Sequence, residues 1–262
     1  MSPEDRQRAG ALLLAARRNR SPILDLPDGC RPRDLAEAYG IQNAFVDAMG
    51  GDLAGFKIGA TSRRAQDFLA VERPFFGCMS RAGVHASPAT LSAGRFIFRL
   101  IEPEFAVRLG ADLPPRAARY GRDQVAAAVA GVHPGFEVVT SAFGEAWTEV
   151  GALALIADNG VHGAFVLGPG TDDWRALDLA AHGVTFRRNG REEGTGRGAN
   201  ALGHPLDALA WLAGQDVRGG RGLKAGDLVT TGVVTPFIYA EAGDDLVADF
   251  GALGEVRLDF TP

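Results

Sequence analysis

The chain has 262 residues, 46% of them hydrophobic and 23% charged, ordinary globular values that exclude a disordered chain and allow a substantial core. Its net charge of −5, spread without a basic stripe, excludes nucleic acid and anionic membrane as partners and leaves a small-molecule ligand as the expectation. Cys30 and Cys78 have no disulfide or zinc spacing, the start Met1 to Arg6 lacks an apolar core, and no apolar run reaches the roughly 18 residues needed to span a bilayer, so the sequence reads as a soluble cytoplasmic protein.

Pro3 to Arg20 carries a helical pattern with Leu12, Leu13 and Ala16 on one face, and a second helix is predicted from about Arg33 to Met49, ending at Gly50-Gly51. Residues 1–52 therefore form an N-terminal helical segment. Beyond it the texture changes to short strands, and 35 glycines, about twice the usual share, indicate many turns. Strands are predicted at about Gly55 to Ala60, Phe96 to Leu109, Phe136 to Thr140 and Gly163 to Leu167, with helices at about Arg122 to Val132 and Trp147 to Ile156. Asn189-Gly190 between two polar arms signals a hairpin. A helix follows from Pro205 to Gly214, and strands at about Asp227 to Thr231, Phe237 to Glu241 and Gly254 to Phe260 close the chain. The irregular order argues for an α+β fold, with residues 53–262 as a mixed β core.

Within the strand ending at Leu109, Glu102 and Glu104 are two residues apart. Strand side chains at that spacing project from one face about 6 to 7 Å apart. Paired carboxylates in so apolar a run are costly without a cation, and oxygen-only ligands suit a hard ion such as Mg²⁺ or Mn²⁺. The competing reading is an ordinary solvent-facing edge strand, which Pro103 would fit. Glu137, in another apolar strand, offers a third anionic ligand and would leave positions open for water and substrate.

Lys57 alternates with Phe56 and Ile58 in Gly55 to Ser62; it is either a strand lysine reaching solvent or, partly buried, a proton carrier. Thr61 and Ser62 follow as candidate donors to an anion, Ser62 being equally a helix N-cap. Asp158, Asn159 and Gly160 are ordinary turn residues, whereas His162, one of five histidines, stands in a glycine-rich loop of the type that lines sites. Thr230 and Thr231 precede Gly232 at a strand end, where hydroxyls and free N–H groups could hold a carboxylate.

Gly55 to Ser62 (GFKIGATS), Ile101 to Ala106 (IEPEFA), Phe136 to Val139 (FEVV), Ile156 to Gly160 (IADNG), Phe165 to Gly168 (FVLG), His204 to Ala213 (HPLDALAWLA) and Leu223 to Gly232 (LKAGDLVTTG) together resemble the 2-keto-4-pentenoate hydratase and 4-oxalocrotonate decarboxylase family of the fumarylacetoacetate hydrolase-like superfamily. The resemblance covers about Ala36 onward. It implies a β-sandwich-like core of the fumarylacetoacetate hydrolase C-terminal type, a homo-oligomer, and Glu102, Glu104 and Glu137 as ligands of a divalent metal. It further implies Lys57 as the acid/base group and Thr231 as a holder of the substrate carboxylate; Thr61, Ser62 and Asp158 join it as substrate-binding candidates, and His162 joins Lys57 as a catalytic one. Two positions depart from the family's pattern: Phe75 replaces an acidic residue found in some hydratases, and His162 replaces a small hydroxyl residue. The expectation is thus a metal-dependent lyase on 2-oxo or 2-hydroxydienoic acids, most directly hydration to a 4-hydroxy-2-oxo acid. The alternatives are a 4-oxalocrotonate-type decarboxylase, a C–C hydrolase and a non-catalytic organic-acid binder.

Overall fold

The computed structural model describes residues 1–262. Helix α1 (Pro3–Asn19) starts where the Ser2 hydroxyl accepts the Asp5 N–H at 3.1 Å and stops at Arg20 in the left-handed region (φ 52°). Helix α2 (Leu35–Ala48) starts where the Asp34 carboxylate accepts the Glu37 N–H at 2.8 Å. The two helices pair by burying Ala9 and Leu13 with Ile41 and Phe45.

The first sheet has eight strands: β1 (Leu53–Gly59), β2 (Phe75–Ser80), β3 (Val84–Ala86), β5 (Leu100–Leu109), β6 (Val129–Val139), β7 (His162–Leu167), β10 (Leu228–Val233) and the short β11 (Ile238–Tyr239). They run in the order β2-β1-β10-β5-β6-β7-β3, with β11 against β5. The second sheet is β4-β13-β12-β8-β9, built from β4 (Ala89–Ser92), β8 (Gly183–Arg188), β9 (Arg191–Arg197), β12 (Asp245–Asp249) and β13 (Glu255–Thr261). Helices α3 (Arg63–Phe68), α4 (Arg122–Ala128), α5 (Ala152–Ala157) and α6 (Pro205–Ala213) fill the connections. This is an α+β fold with N-terminal helices and a mixed-sheet core.

The odd residues of β5 face the second sheet. Phe105 meets Phe250 edge-on with ring centroids 5.1 Å apart, and Phe136 of β6 meets Phe186 of β8 at 5.5 Å. Strand alternation sends the even residues, Glu102 and Glu104, to the opposite face. There Met79, Ala106, Phe165 and Leu228 form a small separate apolar cluster beside the acids.

The hairpin at Asn189-Gly190 is present as β8–β9, and Pro205–Ala213 is helical. Two expected helices are shorter than their patterns. The run from Arg122 ends at Ala128, because Val129–Val139 forms an eleven-residue strand of which ten residues pair with β5, an instance of ladder hydrogen bonds overriding local helix preference. The run from Trp147 breaks at Gly151 (φ 82°), leaving a 3₁₀ turn at Gly144–Thr148 and then α5. The strand expected from Phe96 begins at Leu100, and β2, β3, β4 and β12 lie outside the strands that the sequence pattern predicts. No helix is long and apolar enough to cross a membrane.

Candidate active site

Strands β5 and β6 pair antiparallel with Glu102 opposite Glu137 and Glu104 opposite Gly135. Facing residues on adjacent strands share a side of the sheet, so the third acid joins the first two. One carboxylate oxygen from each of Glu102, Glu104 and Glu137 lies within 4.8 Å of the others. Glu104 and Glu137 are fully buried and Glu102 is half-buried.

Burial, reinforced by the Glu137 and Glu102 charges, holds the Glu104 carboxyl well above the usual range; burial and Glu137 push Glu102 up to about 7. Glu137 stays below the usual range although burial opposes it, because Lys57 and His162 both stabilise its anion. Lys57 Nζ is 3.4 Å and His162 Nδ1 2.9 Å from the same oxygen, Glu137 Oε1. Burial lowers the pKa of His162, so a neutral ring donates its Nδ1–H to the ionised carboxylate and leaves Nε2 without a partner.

The remaining carboxylate oxygens are the ones a cation would meet. Glu104 Oε2 accepts the Gly232 N–H at 2.8 Å, while Glu104 Oε1 and Glu137 Oε2 are buried with no hydrogen-bond partner. Unpartnered buried carboxylate oxygens are costly. A hard divalent ion among three carboxylates satisfies them, so the donor set fits Mg²⁺ or Mn²⁺.

Lys57 is 2% exposed, on β1, and pairs in register with Thr230 of β10 and Gly77 of β2. The residue on its far side is Phe75, whose ring centroid lies 5.5 Å from the ammonium. At the end of β10 the register shifts between Thr230 and Val233, and Gly232 adopts φ 98°. A Cβ there would sit 1.8 Å from the Thr61 hydroxyl, so only glycine presents this N–H to Glu104. Thr61 Oγ1 is buried and unpartnered.

The other expected site residues are placed differently. The Thr231 hydroxyl donates to the Phe105 carbonyl at 3.1 Å, bracing β5 beside Glu104, while Thr230 shares the register of Lys57. Ser62 accepts from the Ala65 N–H at 3.1 Å as the cap of α3 and also lines a cavity. Asp158 is fully buried and its carboxylate is already engaged, by Arg17 Nε at 2.7 Å, the Ser141 hydroxyl at 2.8 Å and the Ala142 N–H at 2.8 Å. It therefore supports the turn before His162, with three of its roughly four acceptor positions taken by the protein itself.

The cavity, about 520 Å³, is of a size to admit a small organic acid. Its lining includes Val233, the register partner of Glu104, with Phe68, Thr235 and Phe237, while the three glutamates and Lys57 lie outside the lining. Phe68 packs against Phe237 at 5.5 Å and Trp147 at 6.1 Å between centroids, giving the outer wall an aromatic character. The free N–H expected at the Thr231-Gly232 strand end holds the carboxylate of Glu104, whereas Arg17 carries no signal in the sequence.

The fumarylacetoacetate (FAA) hydrolase C-terminal family model matches residues 62–261. The chain is 32% identical over 263 residues to 2-keto-4-pentenoate hydratase of Paraburkholderia xenovorans, covering 99% of this chain and 96% of that protein. It is 33% identical to 2-hydroxyhexa-2,4-dienoate hydratase of Comamonas testosteroni, covering 96% of each. Among solved structures, 4-oxalocrotonate decarboxylase from Pseudomonas putida G7, complexed with magnesium and adipate, superposes with a TM-score of 0.91 at 26% identity over 99% of this chain and 98% of the other. The chain belongs to the 2-keto-4-pentenoate hydratase and 4-oxalocrotonate decarboxylase family of the fumarylacetoacetate hydrolase superfamily.

Proposed function

We propose that this protein is a divalent-metal-dependent hydro-lyase that hydrates a 2-hydroxypenta-2,4-dienoate-like acid to a 4-hydroxy-2-oxo acid. The observation that carries the reading is the convergence of three glutamate oxygens within 4.8 Å beside a buried ammonium; the hydratase names of relatives matched over nearly the whole chain support it. Glu102, Glu104 and Glu137 would hold Mg²⁺ or Mn²⁺, which when bound polarises the oxygens of a 2-oxo acid. Lys57 Nζ, desolvated and 3.4 Å from Glu137, moves the proton that converts the dienol to the α,β-unsaturated 2-oxo acid. Water then adds at C4 and a proton at C3. His162 aims Glu137 by holding Oε1, leaving Oε2 for the cation. The unpartnered Thr61 hydroxyl and its neighbour Ser62, which lines the cavity, would receive the substrate carboxylate, and Thr231 keeps β5 in position.

A second reading, decarboxylation of a 4-oxalocrotonate-type acid, is favoured by one observation. Phe75 covers the side of Lys57 where some relatives carry an acid, so a single proton carrier serves the site. Incubating the enzyme with Mg²⁺ and a panel of 2-hydroxydienoic and 2-oxo acids, with and without chelator, separates hydrated, decarboxylated and cleaved products. Formation of a 4-hydroxy-2-oxo acid that stops with chelator is the expected result; CO₂ release would select the second reading, and no turnover of any acid would leave an organic-acid binder. The proposal includes homo-oligomeric assembly in the cytoplasm, with the free, buried Cys30 and Cys78 in keeping with a reducing compartment. Light scattering tests the assembly.

A further inference from the structure

The first helix reaches the site through one side chain. Arg17, near the end of α1, is 10% exposed at its side chain and spends its guanidinium on a single turn. Nε donates to Asp158 Oδ1 at 2.7 Å, Nη2 to the Asp158 carbonyl at 2.5 Å, and Nη1 to the His162 carbonyl. Between those two carbonyls Asn159, Gly160 and Val161 have φ of 54°, 58° and 59°. A left-handed conformation costs about 1–2 kcal/mol per non-glycine residue and is least natural for a β-branched one. Such a turn persists only where its surroundings over-determine it.

Those surroundings are specific. The Asn159 side chain mimics a strand partner for Cys78, accepting its N–H at 2.8 Å and donating to its carbonyl at 2.9 Å. Gln42 of α2 donates to the Ile156 and Phe76 carbonyls, both at 2.9 Å. Asp158, pinned by Ser141 and Ala142, turns its other oxygen to Arg17. The first residue past the turn is His162, whose Nδ1 lies 2.9 Å from Glu137 Oε1. Arg17 is thus the one contact that spans the whole turn, carbonyl to carbonyl, and it comes from a helix outside the segment 62–261 matched by the family model.

We infer that Arg17 is a positioning residue for the metal-holding carboxylate Glu137, acting through the left-handed turn and His162; this rests on the metal-centre reading above. An ion pair that merely fastened α1 to the body would need only the Asp158 carboxylate. Here two of three acceptors are the carbonyls that bracket the strained turn, a pattern that suits the planar fork of arginine and not the single ammonium of lysine. Loosening the turn frees His162 from Glu137 Oε1. That oxygen can then compete for the cation in a wrong geometry.

The test uses the full-length protein as Arg17→Lys, as Arg17→Gln combined with Asp158→Asn so that no buried charge is orphaned, and as Arg18→Gln, an exposed control on the same helix. Hydrogen exchange of the amides of residues 159–163 in metal-free protein reads the turn; calorimetric titration with MnCl₂ reads the site; and each change is repeated in a His162→Ala background. Both Arg17 variants are expected to lose protection at 159–163 and to bind Mn²⁺ about 10- to 100-fold more weakly, with the control unchanged. In the His162→Ala background the Arg17 changes should alter Mn²⁺ affinity by less than about threefold, because the path is already cut. Parent-like exchange and affinity in the folded variants, or an equal loss without His162, would overturn the inference. Failure of the parent protein to bind Mn²⁺ would overturn the metal reading together with it.

Discussion

Loading the three-carboxylate site with a dication should expel protons, and their number follows from the environment of each acid. Glu104, held above the usual range by burial and its two neighbours, gives up its proton less readily than a free carboxyl. Glu102, raised to about 7, is about nine-tenths protonated at pH 6 and about one-tenth at pH 8. Glu137, kept below the usual range by Lys57 and His162, contributes none. A hard cation requires all three as carboxylates, so Glu102 alone should release about 0.9 proton per cation at pH 6 and about 0.1 at pH 8, with any proton on Glu104 added to that. Protons and cation compete, which fixes the sign: affinity rises with pH, with a slope of log Ka against pH that falls between pH 6 and pH 8 as Glu102 ionises. Calorimetric titration with MnCl₂ in buffer pairs of different ionisation enthalpy counts the protons directly. Tight binding with no proton release from pH 6 to 8 would show that the acids are already ionised in the metal-free protein, and the burial argument would fail.

Glu104→Gln should abolish Mn²⁺ binding and turnover without unfolding. Because the folded-state pKa of Glu104 is raised, the parent's share of stability from it is present below the unfolded pKa near 4.3 and is lost as pH rises through the folded value; the metal-free variant's Tm should therefore fall less than the parent's between pH 5 and 8. An identical pH dependence would contradict the shift. Lys57→Met should keep Mn²⁺ affinity within a few-fold and lower kcat by about 10²–10⁴, and parent-level kcat would remove its proton-transfer role. Gly232→Ala places a methyl 1.8 Å from the Thr61 hydroxyl at φ 98°, for a cost of about 2–4 kcal/mol. Thermal unfolding should show a drop of several degrees that Thr61→Gly partly restores; no drop would mean that the strand end is not fixed.

Some of this site was legible in the chain and some was not, for identifiable reasons. Glu102 and Glu104 declare a shared face through spacing alone, since a strand alternates with period two. Glu137 lies 33 positions beyond Glu104, and its place depends on a β5–β6 register that no local pattern encodes. Lys57 could be seen as an apolar-flanked lysine, yet its distance to Glu137 depends on β10 lying between β1 and β5. Asp158 reads as a turn residue available to a ligand, but its carboxylate is engaged by Ser141 and Ala142 and by Arg17 of a helix 141 residues earlier in the chain. Strands β2 and β12 escaped notice because Phe75 to Ser80 and Asp245 to Asp249 are short and only weakly alternating, and they take their extended form from neighbours β1 and β13.

The most direct test is anomalous diffraction from crystals grown with Mn²⁺. The account predicts one strong peak about 2.1 Å from an oxygen of each of Glu102, Glu104 and Glu137, with Lys57 Nζ beside it and no peak in Glu104→Gln crystals. A cation bound elsewhere, or these three carboxylates left without one at saturating Mn²⁺, would contradict it.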